Sequence, residues 1–183
     1  RRCHTQRPGH VFQVLTKRSA RLRNILSRLS FAGDVLHLLA EPAAYSFTRL
    51  LTNLWAGVSV EHQDAADERI PDLLATPAAV RWLSVEPMLG PVDCSDNFGR
   101  YREIVTSVLP QPDWIVCGGE SGPGARPMDL AWARSLLDQC LAARVPFFMK
   151  QLGSVAARRL RLSSRGGSDF WFPPDLRVQE YPA

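Results

Sequence analysis

Polar and charged residues follow five short apolar segments of the chain, each at the point where the segment ends. Lys17 follows the first segment and Lys150 the last, and Glu61 and Glu86 follow two of the others. Carboxylates and ammonium groups placed near one another shift each other's pKa values, so such a set can hold an acid and a base at neutral pH. We therefore expect Lys17, Glu61, Glu86 and Lys150 to be catalytic residues.

The lysines support this hypothesis because they are the only two among 22 lysine and arginine residues. In a chain that otherwise uses arginine for positive charge, two lysines at segment ends suggest selection for an amine. Such an amine can also form a Schiff base with a carbonyl substrate. The simpler alternative is that the four residues cap helices or form structural ion pairs.

A glycine-rich segment at residues 118–127 is the densest candidate for ligand binding. Glycines directly after a strand let the backbone approach a ligand and direct amide N–H groups at an anion, and Arg126 can add a bidentate contact. The segment matches neither a dinucleotide-binding fingerprint nor a Walker loop, and a turn without a ligand is the alternative. Together with two serines at strand ends, the candidate binding residues are Ser59, Ser84, Gly118, Gly119, Glu120, Ser121 and Arg126.

Short apolar runs alternate with segments of helical periodicity. The runs predict strands at residues 10–15, 54–60, 80–85, 114–117 and 145–149. Helices are predicted to begin at Ser19, near Asp64 and at Asp129, with a break at Pro71 in the second. Residues 31–53 and 88–113 interrupt the alternation and are predicted to be surface insertions.

Buried strands that alternate with helices predict an α/β fold, because parallel strands need long crossovers that cover the sheet. Five strands are too few for a closed eight-stranded barrel, so we expect a partial (β/α) barrel with parallel strands, incomplete on its own. The barrel is predicted at residues 1–152, and residues 153–183 are predicted to be a flexible basic loop and a tail that packs on it. An upstream segment or a second copy is expected to cover the open edge. The candidate residues then face one cleft at the carboxyl ends of the strands.

The composition excludes several classes of protein. The chain has 183 residues, of which 45% are hydrophobic and 22% charged, and this fits one globular domain rather than a disordered chain. The four cysteines form no CxxC pair, which argues against a disulfide scaffold or a zinc ribbon and predicts reduced thiols in the cytoplasm. No apolar run approaches the ~20 residues of a membrane helix, so no membrane partner is predicted. The four histidines, at positions 4, 10, 37 and 62, are scattered, so no metal site is predicted.

Positive charge is concentrated at the start of the chain. Residues 1–30 contain seven arginines, one lysine and no acidic residue, although the net charge of the whole chain is only +4. A basic face of this kind is typical of nucleic-acid contacts, and a solvated helix face is the alternative. Nucleic acid is therefore a candidate partner.

Several segments, in their order and spacing, resemble the phage gene product thirty-seven/sixty-eight family. They are residues 12–18, 55–61, 66–71, 83–91, 118–128, 146–151 and 174–178. The resemblance implies a radical S-adenosylmethionine enzyme of unknown substrate, with a [4Fe–4S] cluster held by three cysteines near the N-terminus. It places residues 118–120 on the cofactor side or the substrate side of the cleft, so that the candidate binding residues become candidate cofactor-binding residues.

The three-cysteine motif is missing here, since Cys3 stands alone and the spacing of Cys94, Cys117 and Cys140 cannot replace it. The resemblance therefore implies a C-terminal portion whose rim forms the substrate and cofactor cleft. It implies that this portion is inactive without the cluster-binding segment and binds no cofactor alone. The alternative is a cluster-free module that binds nucleic acid or a protein partner through the arginine-rich N-terminal face.

Overall fold

The computed structural model describes residues 10–28, 53–95, 111–161 and 172–182. Strands in these ranges form one sheet, in which all neighbouring pairs are parallel and the strands follow chain order. The predicted α/β fold with parallel strands is confirmed, and the described sheet does not close into a barrel. Its strands are β1 Phe12–Thr16, β2 Leu54–Ser59, β3 Val80–Val85, β4 Trp114–Gly118 and β5 Phe147–Gln151.

Helices follow four of the strands. Helix α1 is described over residues 19–28, and the others are α2 Gln63–Leu74, α3 Leu130–Ala143 and α4 Gly153–Arg159. Asp129 caps α3 as predicted, because its Oδ1 accepts a hydrogen bond from the amide of Ala131 at 2.9 Å. No helix in the described ranges is long and apolar enough to cross a membrane.

Two predictions about helix ends are wrong. Pro71 does not break α2, which continues to Leu74; the missing amide costs one hydrogen bond, but the buried side chains of Ile70 and Leu73 hold both sides of the helix on the sheet. Ser19 already has helical backbone, and its hydroxyl donates to Asp72 Oδ2 at 2.8 Å. Ser19 therefore ties α1 to α2 rather than capping α1.

The helices cover one face of the sheet. Alternate residues of each strand point to the same face, and on this face Leu54, Ala56 and Val58 of β2 are buried in a core that includes Ile70 and Leu73 of α2. Strands β3 and β4 and helix α3 extend the core with Leu83, Val85, Ile115, Cys117, Leu136 and Cys140. Apolar burial on this face is the main stabilising term for the described fold.

Strand β1 differs from its prediction as a strand buried on both faces. Its residues are intermediate or exposed, and Val14 and Leu15 are exposed. The physical reason is position, because β1 lies at the edge of the sheet and pairs only with β2 in the described part of the chain. The covering of this edge by an upstream segment or a second copy stays a prediction.

The opposite face of the sheet carries a cluster of aromatic rings. The indole of Trp114 lies 5.6 Å from that of Trp82 and 5.9 Å from that of Trp55, measured between ring centroids. Phe148 and Tyr181 contact Trp114 at 5.9 and 5.7 Å. We call this side of the sheet the aromatic face.

The segment after β5 is not the predicted flexible loop at its start, because residues 153–159 form α4. Further on, Phe172 and Leu176 are buried in the core. The tail also runs along the edge of β5: the amide of Met149 donates to the carbonyl of Val178 at 2.8 Å, and the amide of Glu180 donates to the carbonyl of Phe147 at 2.9 Å. This pairing occupies backbone groups at the β5 edge.

Some predictions fall outside the described residues. They concern the insertion at 31–53 apart from Asn53, most of the insertion at 88–113, Cys3 and the arginines among residues 1–9, and residues 162–171 of the predicted basic loop.

We predict that residue 57 must be glycine, because the ring of Trp82 lies against it. A Cβ atom at position 57 would lie 2.4 Å from Cε2 and 2.6 Å from Nε1 of that indole, so Gly57→Ala should lower the free energy of unfolding by about 1–3 kcal/mol through overpacking. Urea denaturation measures the change. Gly90→Ala is the control, since its Cβ would lie 3.9 Å from the nearest atom; equal stabilities of the two variants would contradict the prediction.

Candidate functional site

Register brings polar residues together at the carboxyl edge of the aromatic face. Gly57 of β2 is the partner of Trp82 of β3, and two residues later Ser59 is the partner of Ser84. Since the side-chain period of a strand is two, Ser59 and Ser84 share the aromatic face with the tryptophans. Both serines are buried. Glu61 and Glu86 follow two residues further along the chain.

Glu61 lies between two cations. Its Oε1 contacts Nζ of Lys17, which follows the neighbouring strand β1. Its Oε2 accepts a hydrogen bond from Nη1 of Arg69, on α2, at 2.9 Å. The same Nη1 donates to the carbonyl of Ser59 at 2.8 Å. Only 8% of the Glu61 side chain is exposed, compared with 61% for Lys17.

These contacts decide the charge of Glu61. Burial raises the pKa of the carboxyl, but the hydrogen bond from Lys17 and the charges of Arg69 and Lys17 outweigh it, and the pKa lies below its ordinary value of 4.5. Glu61 is therefore ionised at neutral pH. A depressed pKa in the folded state contributes stability above pH 4.5 that is lost as the pH falls through the folded pKa.

Glu86 forms a second pair, with Lys150 at the end of β5. Nζ of Lys150 donates to Oε2 of Glu86 at 2.7 Å, and Nε2 of Gln151 donates to Oε1 at 2.5 Å. Gln151 in turn accepts a hydrogen bond from the hydroxyl of Ser121 at 2.7 Å. Only 14% of the Glu86 side chain is exposed, compared with 54% for Lys150. Again a carboxylate with little exposed surface holds a lysine whose side chain is more than half exposed.

Gly118 makes the second pair possible. Strand β4 lies between β3 and β5, so Glu86 must reach across the end of β4 to meet Lys150 and Gln151. A Cβ atom on Gly118 would lie 3.1 Å from Oε1 of Glu86 and 3.3 Å from Cγ of Gln151. Because glycine has no side chain, position 118 leaves room for Glu86 to reach Lys150 and Gln151 of β5.

Glu120 and Arg126 form a third pair within the glycine-rich segment. Nε and Nη2 of Arg126 donate to the two carboxylate oxygens at 2.8 and 2.7 Å, and the Arg126 amide donates at 2.8 Å. These hydrogen bonds lower the pKa of Glu120 to about 2. They also raise the pKa of Arg126, to which the charge of Glu61 contributes.

The backbone of residues 118–122 is fixed by the connection between β5 and α4. The Gly119 amide donates to the carbonyl of Gln151 at 3.0 Å, and the Gly122 amide donates to Oγ of Ser154 at 2.9 Å. A Cβ atom on Gly119 would lie 2.3 Å from the Leu152 carbonyl oxygen. These two amides are therefore engaged within the protein rather than directed at an anion.

The structure arranges the sequence-derived candidates as three ion pairs, in which Glu61 holds Lys17, Glu86 holds Lys150 and Glu120 holds Arg126. Their catalytic and binding roles stay predictions. Sequence reasoning missed Arg69, because it lies eight residues after Glu61 and no pattern in its helix distinguishes it from the other charged residues there. It also gave no role to Gln151, the residue after Lys150, whose side chain donates to Glu86.

The described cysteines do not fit the ligation of an iron–sulfur cluster. Cys94, Cys117 and Cys140 are buried, and burial raises the pKa values of Cys94 and Cys117 to about 12. Among the described residues, no group of three or more His, Cys, Asp or Glu side chains is placed to hold a metal ion.

Gly118→Val should disrupt the Glu86–Lys150 pair and leave the Glu61–Lys17 pair intact, because only the former passes over position 118. Since the chain has two lysines, selective labelling of lysine with ¹³C and ¹⁵N gives one NMR signal for each pair. We expect the Lys150 signal to move toward that of a free lysine, as in Glu86→Gln, while Lys17 keeps its wild-type shift. Gly90→Ala serves as control, and an unmoved Lys150 signal would refute the role given to Gly118.

Comparison with known proteins gives one family. A family model described as a protein of unknown function (DUF5131) matches residues 2–169, which is most of the chain, so the chain belongs to that family. No curated protein and no solved structure matches the chain significantly.

This finding corrects the resemblance drawn from the sequence. The assignment to the phage gene product thirty-seven/sixty-eight family is wrong, and nothing in the match indicates a radical S-adenosylmethionine protein or a phage gene product. The S-adenosylmethionine and [4Fe–4S] predictions rested on that resemblance and lose their support. The ion pairs at the carboxyl edge do not depend on it.

Proposed function

We propose that this member of the DUF5131 family binds a small anionic substrate at the carboxyl edge of its sheet, with Lys17 and Lys150 as the groups that contact the anion. The observation that carries the proposal is the construction of the two pairs. In each, a carboxylate that is 8% or 14% exposed holds a lysine that is 61% or 54% exposed.

Burial of the carboxylates supports a functional role. Removing a carboxylate from water costs several kcal/mol, and replacement of a buried ion pair by apolar residues is often neutral or stabilising. Strand ends in an α/β fold do not require such pairs. The Glu86–Lys150 pair does fix a flexible lysine side chain, which lowers the entropy that ligand binding must otherwise remove. The Glu61–Lys17 pair keeps the second lysine at the same edge.

Each ammonium group keeps hydrogen-bonding capacity for a ligand. An ammonium group has three donors, and the contacts of the Lys150 Nζ with the described residues include one hydrogen bond, to Glu86. Phosphate and carboxylate groups both accept such donors. The carboxyl edge is also where parallel α/β sheets bind ligands. An anion at this edge would have a carboxylate and an ammonium group beside it, as an enzyme using acid–base catalysis requires.

We also place this activity in the cytoplasm. Cys94, Cys117 and Cys140 are free thiols, and free thiols without disulfides are typical of a reducing compartment.

A titration of the lysine-labelled protein tests the proposal. Inorganic phosphate and succinate are added separately at low ionic strength, and the two lysine signals report binding and distinguish phosphate from carboxylate ligands. We expect one ligand to move both signals. Lys17→Met and Lys150→Met should each weaken its affinity about tenfold, since hydrogen bonds to charged groups contribute about 1.5–3 kcal/mol.

Arg134→Met is the control for a lost positive charge. Arg134 lies on α3 and pairs with Asp175 of the tail. It takes no part in the three ion pairs at the carboxyl edge. Its variant should bind with wild-type affinity. If neither phosphate nor succinate moves a lysine signal, or if all variants bind equally, the proposed site is not an anion site.

A second candidate function is the binding of nucleic acid through α1 and the turn before it. Arg18, Arg21 and Arg28 are exposed there, whereas Arg23 pairs with Asp72 at 2.7 Å. Replacing the three exposed arginines with glutamine should abolish binding to single- or double-stranded DNA or RNA, and wild-type affinity should fall steeply with salt because counterions are released. Absence of binding at low salt would show that this face is only solvated.

A further inference from the structure

We propose that Lys17 and Lys150 have different roles in the proposed anion site, on which this inference rests. Lys17 leaves Glu61 to contact the anion, whereas Lys150 contacts the anion while remaining on Glu86. Arg69 is the positioning residue that makes the difference, because it remains on Glu61 when Lys17 departs.

Glu61 keeps a cation when Lys17 leaves. Nη1 of Arg69 holds Oε2 of Glu61 at 2.9 Å and the carbonyl of Ser59 at 2.8 Å, so it is attached to both the carboxylate and the end of β2. Only 15% of the Arg69 side chain is exposed. Arg69 is therefore better placed to neutralise Glu61 than to contact a ligand in solvent.

Glu86 has no such second cation among the described residues that contact its carboxylate. Its other partner is the side-chain amide of Gln151, which is neutral. Departure of Lys150 would leave the Glu86 carboxylate, whose side chain is 14% exposed, with one neutral donor, and removing the cation from a partly buried pair is destabilising. Lys150 is thus held in place by the same contact that orients it.

Two cations contact Glu61, and the charge of a third interacts with it. Lys17 follows β1, Arg69 lies on α2, and Arg126 lies on the segment after β4, where its charge interacts with that of Glu61. Arg126 is itself held by two hydrogen bonds to Glu120. Arg69 is bound to the carbonyl of Ser59 and Arg126 to Glu120, whereas 61% of the Lys17 side chain is exposed and its contact in the described residues is with Glu61, which fits the exchanging role.

The test compares wild type with Arg69→Met and Arg69→Lys, using the two lysine signals without ligand and with the phosphate or succinate that binds wild type. Without ligand, Arg69→Met makes Lys17 the main cation on Glu61, so NMR relaxation of the Lys17 ammonium group should show reduced mobility, while Lys150 is unchanged. Affinity measured at Lys17 should fall about tenfold, which corresponds to 1.4 kcal/mol. Arg69→Lys keeps a positive charge and should restore most of both properties.

Glu61→Gln is a second test, which replaces the carboxylate instead of the cation. It can be used if Arg69→Met does not fold. A neutral amide holds Lys17 weakly, so its ammonium group should become more mobile than in wild type while Lys150 again stays unchanged. Unchanged mobility of Lys17 in the folded variants, or equal changes at both lysines, would overturn the inference. No effect of phosphate or succinate on either lysine of wild type would instead overturn the proposed function.

Discussion

The burial of two carboxylates at one edge of a parallel sheet is the constraint on which the site depends. Glu61 and Glu86 are largely removed from water, and an ionised carboxylate in that position requires a cation and hydrogen bonds. Lys17 and Lys150 supply the charge from the two outer strands of the described sheet. The two lysines are thereby held at this edge in the absence of a ligand, and more than half of each side chain remains accessible.

The two pairs meet this constraint in different ways. Lys17 reaches Glu61 from the adjacent strand, and Arg69 adds a second cation from the helix behind it. Lys150 reaches Glu86 across β4, over a glycine, and the second donor there is an uncharged amide. The two pairs are therefore chemically similar, but among the described residues two cations contact Glu61, whereas one cation, Lys150, contacts Glu86. This inequality is the basis for assigning the lysines different roles.

The packed rings of the aromatic face make the part of the sheet next to the charged edge rigid. Trp55 and Trp82 both pack on Trp114, on the face that also carries Ser59 and Ser84, and the ring of Trp82 lies against Gly57. Aromatic contacts of this kind bury large areas and restrict side-chain motion. The family match gives no chemistry to this arrangement, since the family is one of unknown function; the argument for a binding site therefore rests on geometry and charge.

The sequence alone determined the strands, their parallel arrangement and the edge at which Lys17, Glu61, Glu86 and Lys150 emerge, because apolar runs and strand-end positions are local patterns. It misjudged β1, since exposure depends on how many neighbours a strand has. Only the tertiary structure decided which cation meets which carboxylate. The contact of Arg69 with Glu61 depends on how α2 packs on the sheet. The contact of Glu86 with Lys150 depends on the order of the strands and on the glycine at position 118 of β4. No fixed spacing in the sequence encodes either contact.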